Sequence, residues 1–219
     1  MNRLDQLTPT ITPSSCKSAI VRAVVCVAIL LTASSNVLDA DDALRDNLPP
    51  AGFRALFNGR DLTGWTENKQ PPVHWTVKDG ELVYDGKGTH LYNEEQFGNF
   101  ILLVDWKVPP NGNSGVFLRA ATQVEINDAD KEPRPVWNGT SGGLYPDQPP
   151  LKRAAKPSGE WNHIEIRVEK GKITVLLNGQ KTVDAFAKNW GAKLKGPIGF
   201  QHHGTPLAFK NIYVMPLED

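Results

Sequence analysis

Cysteine is almost missing from this chain. The two that occur, Cys16 and Cys26, lie in or before an N-terminal apolar run, so the domain that follows has none. That excludes a disulfide framework, a thiol nucleophile and any cysteine-based zinc site there. A surplus of either charge is missing too, since 24 basic residues meet 24 acidic ones. The balance gives no electrostatic argument for binding nucleic acid or an anionic membrane. No HExxH or phosphate-loop sequence occurs, so two common chemistries lack their signatures. His74 and His90 show no metal-ligand spacing to each other. Helical periodicity is weak beyond the N-terminal region, with at most one short turn at Asp184–Trp190.

The N-terminus reads as an export leader over residues 1–40. Lys17 and Arg22 precede the apolar run Ala23–Leu31, and small residues follow at Thr32–Ser35. Positive, apolar, then small is the order of a secretory signal. The run is short for a span of roughly 20 residues, so no stable membrane span is expected after the leader is removed. Val25 before Cys26 argues against a lipoprotein site. The expected destination is the periplasm or the extracellular space. Residues 41–50 read as a linker, and residues 51–219 as one domain.

Turn chemistry is plentiful, with 19 glycines and 17 prolines. Strand patterns recur between the turns. Trp75–Lys78 and Glu81–Tyr84 flank Asp79-Gly80, and Lys172–Leu177 and Gln180–Asp184 flank Asn178-Gly179. Both dipeptides are two-residue hairpin turns. Trp161–Glu169 alternates, with Ile164, Ile166 and Val168 on the inward side. Phe100–Val108 is apolar on both faces in its first half, as a central sandwich strand is. The fold class is therefore all-β, a two-sheet antiparallel sandwich or jelly roll. Trp65, Trp75, Trp106 and Trp161 fall in strand patterns and are expected in the core.

The richest segment is Gly112–Asp128, which reads as a hairpin. Val116, Leu118, Val124 and Ile126 take one face; Phe117, Arg119, Gln123, Glu125 and Asn127 take the other. A cation, a carboxylate, amides and an aromatic on one face suit a sugar. A turn at Ala120–Thr122 would pair Arg119 with Gln123 and Phe117 with Glu125. Glu125 is then a candidate acid or base, or a structural partner of Arg119. Asn113, Asn127 and Asp128 add oxygen donors. A second constellation is Gly196–Gly204, in which His202 and His203 point to opposite sides, and His203 is the favoured proton acceptor. The long Pro- and Gly-rich segment Ala129–Gly159 carries Trp137 and Tyr145. These two, with Trp190, are candidates to stack on a sugar ring.

These motifs resemble the 3-keto-disaccharide hydrolase domain family, of the concanavalin A-like lectin/glucanase superfamily. The resemblance rests on FRALFNGRDLTGW at Phe53–Trp65, GNSGVFLR at Gly112–Arg119, QVEIND at Gln123–Asp128 and GGLY at Gly142–Tyr145. It continues in the segment from Lys156 to Gln180 and in GPIGFQHHG at Gly196–Gly204. Gln123 and Glu125 stand in exchanged order relative to the family's common EVQ.

The resemblance implies a concanavalin A-like jelly roll that binds sugar on a sheet face. It also implies cleavage of sugars already oxidised at C3, because a ketone there acidifies the C2 proton. His203 or Glu125 would be the base. Arg119, or a divalent cation, would stabilise the enolate, and Tyr145 would assist the leaving group. Asn113, Phe117, Gln123, Asn127, Trp137, Tyr145 and His202 would line the substrate. No cofactor is otherwise required; Glu125, Asp128 and His203 are the candidate ligands of such a cation. The alternatives are a non-catalytic glycan-binding module of the same fold and a conventional two-carboxylate glycosidase. The last lacks a second carboxylate on the face of Glu125. Carbohydrate, not nucleic acid, is the expected partner.

Overall fold

The computed structural model of the chain describes residues 46–67, 74–129, 135–188, 190 and 194–218. The leader, residues 1–40, and the start of the linker lie outside them. From Asp46 onward the linker is tied down. The Asn47 backbone N–H donates to Asn211 Oδ1 at 2.7 Å, and Asp46 pairs with Lys210 at 2.7 Å. No helix among the described residues is long and apolar enough to cross a membrane.

Chain order gives β1 (Arg54–Ala55), β2 (Trp65–Glu67), β3 (Trp75–Lys78), β4 (Glu81–Tyr84), β5 (Leu91–Asn93), β6 (Phe100–Lys107) and β7 (Asn113–Leu118). These are followed by β8 (Thr122–Asn127), β9 (Leu144–Tyr145), β10 (Asn162–Glu169), β11 (Lys172–Leu177), β12 (Gln180–Phe186), β13 (Gly199–Phe200) and β14 (Leu207–Pro216). They form two antiparallel sheets. The eight-stranded one runs β12-β11-β10-β6-β14-β4-β3, with β1 added on β14; the six-stranded one runs β2-β5-β13-β7-β8-β9. This is the expected all-β sandwich.

Local sequence explains the elements. Asp79 and Gly80 both have positive φ, as do Asn178 and Gly179, so both expected turns form with the twist their flanking strands need. Lys170-Gly171 makes a third turn of this kind, joining β10 to β11. In β10 the side chains of Ile164, Ile166 and Val168 are fully buried, alternating with partly exposed Glu165, Arg167 and Glu169. Strand β6 is central, between β10 and β14. Its Phe100, Leu102, Val104 and Trp106 enter the main core, while Ile101 and Leu103 join Tyr213 in a smaller cluster.

Aromatic rings hold the two sheets together. Phe200 of β13 crosses to stack on Phe209 of β14 at 4.1 Å and to meet Trp75 of β3 at 6.4 Å; within the sheets, Trp65 stacks on Phe200 at 5.3 Å and Trp75 on Tyr84 at 4.4 Å. Trp161 departs from expectation. It is only partly buried, beneath the ammonium groups of Lys107 and Lys210 at 4.4 and 4.8 Å, because it lies just before β10, outside the strand. The expected turn at Asp184–Trp190 is also displaced, because β12 continues to Phe186 and pairs it with Lys172.

Candidate active site

The outer face of the six-stranded sheet carries one continuous row of cross-strand partners. It runs Thr66, Tyr92, Gly199, Phe117, Gln123, Tyr145. A neighbouring row holds Gly115 opposite Glu125, with the Gln201 backbone N–H donating to the Gly115 carbonyl at 2.9 Å. Continuing the register of β5 and β13, His90 falls beside Gln201 in that second row.

Glu125 lies on the floor of this face, 4% exposed, and Gln123 is 7% exposed. Gln123 Nε2 donates to Glu125 Oε2 at 2.8 Å and to Gln201 Oε1 at 3.2 Å. Asn113 Nδ2 makes a longer contact to Glu125 Oε1 at 3.4 Å. Gly115 permits this arrangement, since a Cβ there would lie 2.5 Å from the Gln123 side chain. The backbone of Glu125 is clamped by the GGLY segment, donating to the Gly143 carbonyl at 3.0 Å and accepting from Gly142 N–H at 2.9 Å. The long segment therefore packs along the β8 edge. It carries Tyr145 and Trp137, 45% and 47% exposed, beside the polar floor. Trp137 lies against Gly139, whose carbonyl accepts from Asn127 Nδ2 at 3.1 Å.

The hairpin register differs from the expected one. Phe117 pairs with Gln123 and Gly115 with Glu125, because the turn is Arg119–Ala121 rather than Ala120–Thr122. Arg119 and Ala120 both take positive φ. The Ala120 N–H donates to the Pro197 carbonyl at 3.0 Å, and Gly196 packs so closely that a Cβ on it would lie 2.5 Å from the Arg119 carbonyl oxygen. Arg119 is consequently drawn off the polar face. It is 5% exposed, with Nε and Nη2 donating to the Gly98 carbonyl at 3.1 and 2.6 Å and the guanidinium 4.1 Å above Trp190. Trp190 is thereby buried under Arg119 and is not a sugar platform.

Asp128 is fully buried and faces elsewhere, accepting from the Asn111 N–H at 2.5 Å and from the Ser158 hydroxyl. It therefore supplies neither the second carboxylate of a conventional glycosidase nor a common ligand set with Glu125 and His203. Among the described residues, no three His, Cys, Asp or Glu side chains gather as a metal site.

The two histidines differ in their surroundings. His203 is exposed, while His202 is half-buried with its Nδ1 on the Tyr84 hydroxyl. The His202 backbone N–H donates to His90 Nδ1 at 2.9 Å. His90 sits edge-on to Phe117 at 5.0 Å and to Tyr92 at 6.1 Å, and those two rings stack at 5.7 Å. Thr66, Thr89, His90 and Tyr92 line a cleft of ≈ 250 Å³. Burial lowers the His90 pKa, as does the nearby His202 ring, and burial raises that of Tyr92. Sequence reading missed His90 and Tyr92 as site residues. The alternation around buried Leu91 was the available signal, since it puts both on the face away from the core.

Comparison with known proteins finds relatives in sequence and in fold. A curated 3-keto-disaccharide hydrolase of Bacteroides thetaiotaomicron is 27% identical, over 81% of this chain and 82% of that protein. Two solved structures from Parabacteroides distasonis, each provisionally designated a glycosyl hydrolase, share the fold. One has a TM-score of 0.68 at 24% identity, covering 79% of this chain and all of that one (100%). The other has a TM-score of 0.66 at 29% identity, covering 77% of this chain and 85% of that one. A family model matches residues 52–215, so the chain belongs to the 3-keto-alpha-glucoside-1,2-lyase-like domain family.

Proposed function

We propose that this protein is an exported enzyme that cleaves 3-keto-disaccharides or 3-keto-glucosides. The observation that carries the reading is the buried Glu125 in its amide cradle, on an open sheet face flanked by exposed aromatics and by the His202-His203 corner. The named relative acts in the same sense. A pair of carboxylates is not needed for this chemistry.

The steps balance without an oxidant. A base takes the C2 proton, and the bonding electrons move to the C3 oxygen as an enolate. The enolate collapses, C1=C2 forms, and the C1–O bond breaks with its electron pair on the leaving oxygen, which takes a proton. Water then adds across C1=C2, with hydroxyl to C1 and hydrogen to C2. The sum is hydrolysis.

His203 is the base in this scheme: it is exposed, it follows directly on His202, whose backbone N–H holds His90, and imidazole accepts protons near neutral pH. Glu125 already accepts from Gln123 and Asn113, and its role is to hold hydroxyls of the leaving sugar. Tyr145, across from Gln123, lies against the outer end of the leaving sugar. His90 and Glu125 stand three strands apart, about 14 Å at the usual strand spacing. The keto ring therefore lies at the histidine end and the leaving ring at the Glu125–Tyr145 end.

The test is incubation with 3-keto-trehalose, 3-keto-sucrose and a methyl 3-keto-glucoside, with and without a chelator, with products read by NMR. Turnover that releases free sugar or alcohol is expected. Binding of all three by folded protein without turnover leaves a glycan-binding module instead.

A further inference from the structure

We propose that His90 receives the C3 carbonyl oxygen of the substrate as a permanently neutral hydrogen-bond donor, and so makes the site select an oxidised sugar over its alcohol. The inference deepens the 3-keto reading and rests on it. With Arg119 turned onto Gly98 and Trp190, the oxygen that gains charge needs another partner.

The direction of one hydrogen bond defines the state of the ring. A main-chain N–H can only donate, so the bond from His202 N to His90 Nδ1 leaves Nδ1 holding a lone pair. The single ring proton is then on Nε2. Adding a second proton at Nδ1 would set two N–H groups against each other. The amide that imposes this does not titrate, and it is held in place by the chain. Gln201, one residue earlier, donates its backbone N–H to Gly115, and Phe200 before it is locked in the core. The titratable neighbours on this side are His202, with its ring 6.4 Å away, and Tyr92. Burial and His202 both disfavour a charged His90.

Nε2 has no protein partner among the described residues, and His90 lines the cleft. Its donor is therefore available to a ligand, between the rings of Tyr92 and Phe117. A carbonyl oxygen only accepts, and it matches a group that only donates. A C3 hydroxyl in the same place brings a proton that this tautomer cannot accept, so it must turn to a threonine oxygen of the cleft or to water, and it loses the match that the carbonyl has. The same donor strengthens as C2 loses its proton and charge gathers on the C3 oxygen, which is how a fixed dipole lowers a barrier. Neutral imidazole as electrophile has precedent in the handling of enediolates.

The first measurement is on the wild-type protein. Long-range proton–nitrogen NMR should show His90 as the neutral Nε2–H tautomer between about pH 5.5 and 8; an imidazolium or an Nδ1–H ring in that range overturns the inference. The second compares His90→Leu and His90→Gln on 3-keto-trehalose. The leucine variant should lose about 10²- to 10³-fold in kcat, the usual effect of removing one such donor. The glutamine variant, which keeps an N–H, should recover part of it. The preference for binding 3-keto-trehalose over trehalose should also shrink in the leucine variant. A folded leucine variant with unchanged kcat/KM and unchanged preference removes His90 from this role and leaves the 3-keto reading intact. Wild type inactive on every 3-keto substrate removes both.

Discussion

Gly115 faces Glu125 across the β7–β8 ladder, and the space its missing side chain leaves is filled by Gln123 reaching to Gln201. The glycine is there for close approach, not for an unusual φ. Gly115→Ala should push Gln123 out of its bridge and release Glu125 from its donor. Crowding of this kind costs about 1–3 kcal/mol. The expected result is a modest fall in the denaturation midpoint, with a much larger fall in kcat/KM. Unchanged kinetics in the alanine variant would show that the bridge has no part in substrate handling.

His203 has the opposite profile. Its side chain is exposed, so truncation removes chemistry and little packing. His203→Ala should abolish turnover on 3-keto substrates while thermal unfolding stays within about 0.5 kcal/mol of wild type, the usual range for surface sites. A large drop in melting temperature would mark a structural histidine. Glu125→Gln, measured beside it, should raise KM more than it lowers kcat.

Arg119 is expected to matter for folding. Hydrogen bonds from a charged donor contribute about 1.5–3 kcal/mol, and Arg119 makes two to the Gly98 carbonyl while covering Trp190. Arg119→Met should therefore lose stability of that order in urea denaturation. Turnover per folded molecule should persist. Loss of kcat in a fully folded variant would return Arg119 to the chemistry.

Two histidines should tilt stability with pH in opposite senses. The hydrogen bond to Asp105 raises the His163 pKa from 6.5. That contribution is fully present below pH 6.5 and is lost as pH rises through the higher folded value. His90 is lowered from 6.5, so it withdraws stability as pH falls below that point. Urea titrations of His163→Gln should lose stability relative to wild type mainly on the acid side, and the difference should shrink toward alkaline pH. A difference that grows toward alkaline pH contradicts the assignment.

The fold was largely legible because its signals are local. Asp79-Gly80 and Asn178-Gly179 announce their turns, and the alternation of β10 shows which side is buried. The hairpin register was not legible, since its turn uses Arg119 and Ala120 at positive φ, where neither residue type signals it. What holds that turn is the Gly196–Pro197 segment, far along the chain. His90 was missed for a similar reason, because its defining partner is a main-chain amide 112 positions away. Glu125 and Gln123 were legible as a pair. Residues two apart on a strand share a face, so exchanging their order relative to the family pattern still leaves a carboxylate bonded to an amide.

The ring of Phe200 contacts Trp65, Trp75 and Phe209, while the residues on either side of it, Gly199 and Gln201, lie in the two rows of the outer sheet face. At this point the chain has no separate parts to adapt. Mutational drift in the interior at Phe200 would be felt one residue later at Gln201, and two later at the amide that holds His90. Variants selected for new sugars should therefore leave Phe200 alone and vary at the loop edge, around Trp137 and Tyr145, where exposed rings can change without moving the sheet.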